Sequence, residues 1–75
     1  MVKIEEVKNV HGCISAVFVR DNNGDILRSY CHGSKPCVIL DHRTGKYHIV
    51  EDTPLTELNG VSVMEYEKKI YGTVV

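Results

Sequence analysis

The five residues Asp21-Asn22-Asn23-Gly24-Asp25 constrain this chain more than any others. Asn-Gly tolerates the positive φ angles that a tight reversal needs. Before it runs Ile14-Ser15-Ala16-Val17-Phe18-Val19, rich in the β-branched and aromatic side chains that suit a strand. After it, Asp25 to Cys31 is the return strand. A β-hairpin is therefore expected here, and the rest of the chain must extend or cover it.

Further segments read as strands. Val2, Ile4 and Val7 alternate with Lys3 and Glu5, the pattern of a half-buried strand, and Gly12 then allows a turn or bulge. Gly33 and Pro36 interrupt the chain between the first hairpin and Cys37-Val38-Ile39-Leu40, a run expected to be buried on both faces. Asp41 to Gly45 makes a second turn, and Lys46 to Val50 returns from it. In the segment from Glu51 to Gly60, Thr53 suits an N-cap, Pro54 suits the first helical position, and Asn59-Gly60 suits a stop. So short a segment makes one 3₁₀ or barely α turn. Val61 to Tyr66 then reads as a strand, Glu65 to Lys69 either turns or continues, and Ile70 to Val75 has strand-like residues.

The fold expectation is all-β: a small antiparallel sheet or SH3-like barrel of five to six short strands with one short helical turn, residues 1–75 forming a single domain. The order of elements resembles the general plan of a small SH3-like barrel, where a helical turn often precedes the last strand. The resemblance is one of layout.

Composition narrows the function classes. A chain of 75 residues buries only about 60% of its unfolded surface, so help from a metal, a disulfide or self-association is expected. Net charge is −1, which disfavours a nucleic-acid binder working through phosphate neutralisation. Arg20, Arg28, Lys35, Arg43 and Lys46 nevertheless gather in the middle of the chain, where a nucleic-acid-binding small barrel would need them, with Tyr30 or Phe18 for base stacking. No stretch has the apolar length of a membrane span, and the start lacks the apolar core of a signal peptide. Three cysteines, an odd number, argue against a closed disulfide framework, so a cytoplasmic protein with reduced thiols is expected.

The segment from Tyr30 to Cys37 concentrates the chemistry. Cys13, Cys31, Cys37 and His32 form an alternative zinc set, although the five residues between Cys31 and Cys37 exceed ordinary knuckle spacing. Cys31 and His32 are strand neighbours that point to opposite faces, so they are poorly placed for nucleophilic catalysis. A barrel this small also offers little concave volume, and no enzyme is expected. Gly33-Ser34-Lys35 has a lysine and free backbone N–H groups but lacks the spacing and following helix of a phosphate loop.

The expectation is a non-enzymatic binding module without a cofactor. It docks a protein partner or a small anionic ligand at this loop and the turn from Asp41 to Lys46. Lys35 and Arg43 would supply charge, Tyr30 and Tyr47 stacking surface, and His32 and Ser34 hydrogen bonds. A phage- or plasmid-type accessory protein that inhibits or sequesters something fits such a chain. Tyr47, Tyr66, Tyr71 and the Val74-Val75 end also favour a homo-oligomer built through an edge strand.

Overall fold

A computed structural model of the chain describes residues 2–32, 37–50 and 57–72. Five strands form one antiparallel meander: β1 (Lys3–Lys8), β2 (Ile14–Arg20), β3 (Ile26–His32), β4 (Cys37–Asp41) and β5 (Tyr47–Val50). The order in the sheet is the order in the chain, so β1 and β5 are its two edges. The expected small antiparallel sheet of five strands is what forms. One helix, α1 (Gly60–Tyr71), follows it.

Both turns form where the sequence places them. In the first, the Asp21 carboxylate accepts the N–H groups of Asn23 and Asp25 at 2.9 and 3.0 Å, and Gly24 takes φ +88°. Gly24 alone supplies the left-handed conformation, because no non-glycine residue described has a positive φ. The second turn repeats the device: Asp41 accepts from the N–H of Arg43, and Gly45 sits at φ +73°. Between β1 and β2, the Asn9 side chain holds the N–H groups of His11 and Cys13.

The strand pairings sort the side chains into two faces, because directly opposed residues share a side. Val17, Val19, Arg28, Tyr30, Cys37, Ile39 and Val50 lie on the inner face and are buried. Val63 and Leu58 close the core over them. The run Cys37 to Leu40, expected to be buried on both faces, instead alternates: Cys37 and Ile39 are buried, Val38 is half-buried and Leu40 is exposed.

The C-terminal third corrects the sequence reading. Val61 to Tyr66, expected as a strand, is helical, and so are Glu65 to Lys69 and the chain to Tyr71. Asn59-Gly60, expected to stop a helix, starts one. The Asn59 side chain accepts the Ser62 N–H at 2.8 Å, and the Ser62 hydroxyl accepts the Asn59 N–H at 3.1 Å, a reciprocal cap of two otherwise open donors. Gly60 donates its N–H to the Glu6 carboxylate at 2.7 Å and lies so close to β1 that a Cβ would meet Ile4 Cγ2 at 3.2 Å. The helix ends at Gly72, which adopts φ +64° as the left-handed cap. Most of the expected helical turn over 51–60 lies outside the described residues, as do residues 73–75.

What holds α1 on the sheet is ionic. Glu67, wholly buried, accepts a bond from Arg28 Nε at 2.7 Å and a second from Arg28 Nη2, and it also accepts the Tyr30 hydroxyl. The Tyr71 ring lies 4.0 Å from the Arg28 guanidinium, and Tyr66 meets Tyr30 edge to face at 6.1 Å. Burial alone would lower the Arg28 pKa, but the bonds and charge of Glu67 outweigh it and hold the guanidinium above its ordinary value. Burial pushes the Tyr30 hydroxyl strongly up, and the Glu67 carboxylate that accepts its hydrogen bond adds to this. Burial also raises the Tyr71 hydroxyl and the Cys37 thiol.

Three outcomes are expected from unfolding experiments. Asn59→Ala, which removes the cap acceptor, costs about 1 kcal/mol and lowers the thermal midpoint by roughly 4–8 °C. Glu67→Gln leaves Arg28 buried without a counter-charge and costs about 3–5 kcal/mol by urea titration, whereas Arg28→Met with Glu67→Leu recovers most of that loss. The third concerns alkali. A pKa raised in the folded state means that the folded chain holds protons the unfolded chain releases. Stability is therefore full below about pH 10, the unfolded tyrosine value, and falls above it. Tyr30→Phe makes the decline in urea midpoint above that pH less steep.

Candidate functional site

The outer face of the sheet is unlike that of most antiparallel sheets, whose solvent side is polar. Two unbroken rows cross all five strands: Glu5, Phe18, Ser29, Leu40 and Tyr47, then Val7, Ala16, Cys31, Val38 and Ile49. Glu5 and Ser29 are the polar members. Among the described residues no helix covers this side, since α1 lies across the inner one.

The two ends of this face differ. At the β1–β2 end, Arg20 bonds Glu5 at 3.1 Å and the Gly24 carbonyl at 2.8 Å, and its guanidinium lies 5.9 Å from the centre of the Phe18 ring. The arginine thus shields the aromatic ring there. At the β4–β5 end no charge among the described residues covers the apolar side chains. Tyr47 is 67% exposed, Ile49 52% and Leu40 37%, and they sit side by side through the Leu40–Tyr47 and Val38–Ile49 pairings.

Ser29 is the one polar group near the middle of the face. It is buried, and its hydroxyl lies 2.7 Å from His42 Nε2. A serine hydroxyl against an imidazole is also the contact from which nucleophilic catalysis starts. Here the oxygen is enclosed, and among the described residues no carboxylate bonds the imidazole. The contact satisfies a buried hydroxyl between Phe18 and Leu40.

Of the residues expected to bind a ligand, Tyr30, Arg43 and Tyr47 are described. Tyr30, expected to offer stacking surface, is wholly buried, and its hydroxyl bonds Glu67; it belongs to the core. Tyr47 is exposed as expected. Arg43 is exposed too, but at the β4–β5 turn, the opposite end of β4 from the loop after His32. Cys37, at the other end of β4, lies about 14 Å from that turn. Ser34, Lys35 and the His32 side chain lie outside the described residues.

The alternative zinc set is dispersed in a similar way. Cys31 pairs with Val38 on the outer face and is exposed, while Cys37 pairs with His32 and is buried on the inner one. Among the described residues no three His, Cys, Asp or Glu side chains come together as a metal site requires. An open groove of about 560 Å³ runs between β1 and α1, floored by Ile4, Val61 and Met64 and edged by Glu6, Glu65 and Lys68. Its edge is charged, in contrast to the bare β4–β5 end of the outer face.

Sequence reasoning passed over Leu40 and Ile49 as surface residues. The available signal was the absence of polar alternation in Val38-Ile39-Leu40 and in Ile49-Val50, which forces apolar side chains onto both faces. Among the described residues no helix is long and apolar enough to cross a membrane. Comparison with family models, with curated proteins and with solved structures finds no match.

Proposed function

We propose that the chain is a non-enzymatic interaction module whose outer sheet face docks an apolar surface of a protein partner. The observation that carries this reading is the contiguous exposure of Leu40, Tyr47 and Ile49 on a sheet face that no described helix covers. A contiguous apolar patch on a small domain is the usual mark of a recognition surface, and tyrosine is enriched in such surfaces.

Protein is favoured over a small anionic ligand as the occupant. An anion would need convergent cations, and of Lys3 and Arg20, which pair on this face at its β1–β2 end, Arg20 is already bonded to Glu5 and to the Gly24 carbonyl, while neither lies at the bare β4–β5 end. Flat apolar area instead suits another flat apolar surface, with the partner excluding water from Leu40, Val38 and Ile49. The activity that follows is occupancy of the partner's surface: inhibition where that surface is functional, sequestration where it is not.

The test is affinity capture from an extract of the source cells with tagged wild-type protein and with Leu40→Lys. Leu40 is exposed in the middle strand of the bare patch, so lysine there leaves the core intact. Wild type is expected to retain a defined partner, and Leu40→Lys to lower the retained amount by about tenfold or more, the effect of losing a buried apolar anchor. Equal capture by both proteins would remove the face from the reading.

A further inference from the structure

The two edges of the sheet are built differently. β1 carries Lys3, Glu5, Glu6 and Lys8, and its register shifts between Val7 and Lys8. Charge and a bulge are the devices that stop an edge strand from recruiting another strand. β5 has neither. Tyr47-His48-Ile49-Val50 contains no Lys, Arg, Asp, Glu or Pro, and its register with β4 is unbroken.

Backbone bonds at the β4–β5 turn reveal which groups β5 leaves open. The Asp41 N–H donates to the Lys46 carbonyl and the Asp41 carbonyl accepts from Gly45, both at 2.8 Å, so the Asp41 peptide groups point toward β5. Alternation along β4 points those of Ile39 and Cys37 the same way, toward His48 and Val50. The N–H and C=O groups of Tyr47 and Ile49 therefore point away from β4, to the side where no described strand lies.

We propose that β5 pairs antiparallel with β5 of a second copy of this chain, about a two-fold axis at His48. In that register Tyr47 stands opposite the partner subunit's Ile49, and the reverse. Both residues are the ones whose peptide groups point outward, so the two pairs close about four ladder hydrogen bonds. Their side chains, exposed in one chain, meet on the same outer face. His48 stands opposite the partner subunit's His48, and none of the Lys, Arg, Asp or Glu side chains is set against its own copy within the strand. The same operation about the middle of β1 sets Glu5 or Glu6 against itself, a destabilising pairing. Joining β5 to β1 of another copy would leave free edges at both ends and build an open filament, whereas the two-fold pairing closes.

The dimer rests on the strand edge, and so stands independently of what docks on the outer face. Its consequence for that face is continuity: the bare β4–β5 patches of two chains become neighbours on one side of a doubled sheet.

Light scattering and sedimentation across a wide concentration range test it, using wild type, His48→Lys and Leu40→Lys. Wild type and Leu40→Lys are expected to be dimers. His48→Lys, which sets two ammonium groups across the axis, is expected to raise the dimer dissociation constant about tenfold or more with an unchanged circular dichroism spectrum. A second variant does not depend on how His48→Lys folds. With Cys13→Ser and Cys31→Ser removing the exposed thiols, His48→Cys places thiols on opposed residues about 4.5 Å apart at Cα, within disulfide reach. It is expected to oxidise to a covalent dimer, while Thr44→Cys in the same background does not. A wild-type chain that stays monomeric and a His48→Cys chain that does not cross-link would overturn the proposal. So would a dimer that Leu40→Lys dissolves and His48→Lys leaves intact, since that contact would lie on the open face.

Discussion

One buried carboxylate determines how this fold is put together. Glu67 lies on a helix, its partners Arg28 and Tyr30 lie on the central strand β3, and nothing else described ties the C-terminal half of α1 so specifically to the sheet. Taking an arginine and a glutamate out of water is costly, and a pair of this kind is weak evidence for net stability. Its value is geometric. A carboxylate that must accept from both Arg28 and Tyr30 admits one rotation and one position of the helix, while an apolar contact would tolerate many. The Tyr71 ring over the guanidinium and the Tyr66 ring against Tyr30 extend that constraint along two turns of helix.

The position of α1 then decides which face of the sheet is left open. Its first turn is held against β1 by the Gly60–Glu6 bond and the close approach of Gly60 to Ile4, and its later turns sit over β3. A single helix of this length covers one side only. The sheet has apolar residues on both sides of β4 and β5, so the outer side of those strands is left bare. Exposed apolar area at one end of the face and an uncharged edge strand at the same end are thus one consequence of a single helix serving a sheet with apolar residues on both faces.

The first hairpin was legible because its determinants are local: Asp21 and Gly24 need no tertiary partner to make a turn. The helix was not, and Glu67 explains why. The stripe that α1 lays on the sheet is Val63, Tyr66, Glu67 and Tyr71, a helical period with a charge at its centre. Read for apolar residues, that stripe loses its middle, and the short alternation of Val61 and Val63 looks like a strand. Only Arg28, distant in sequence, makes Glu67 a core residue. Tyr30 was misread for the same reason, since a tyrosine beside a polar stretch of sequence looks like a ligand contact until Glu67 accepts its hydroxyl in the core.

The contrast between the edges carries the last step. Four of the six residues of β1 are charged, and their like charges oppose self-pairing about the strand's middle, yet Glu6 and Glu5 are also bonded within the chain, to Gly60 and Arg20. The charges at that edge therefore serve the monomer's own fold as well as its protection. β5 makes no such side-chain bonds among the described residues, its outward peptide groups face no described strand, and its Tyr47 and Ile49 side chains stay largely exposed. Water satisfies those peptide groups in a lone chain, but not the adjoining Tyr47 and Ile49 surfaces. A strand that matches its own copy in register, hydrogen bonding and polarity covers both at once.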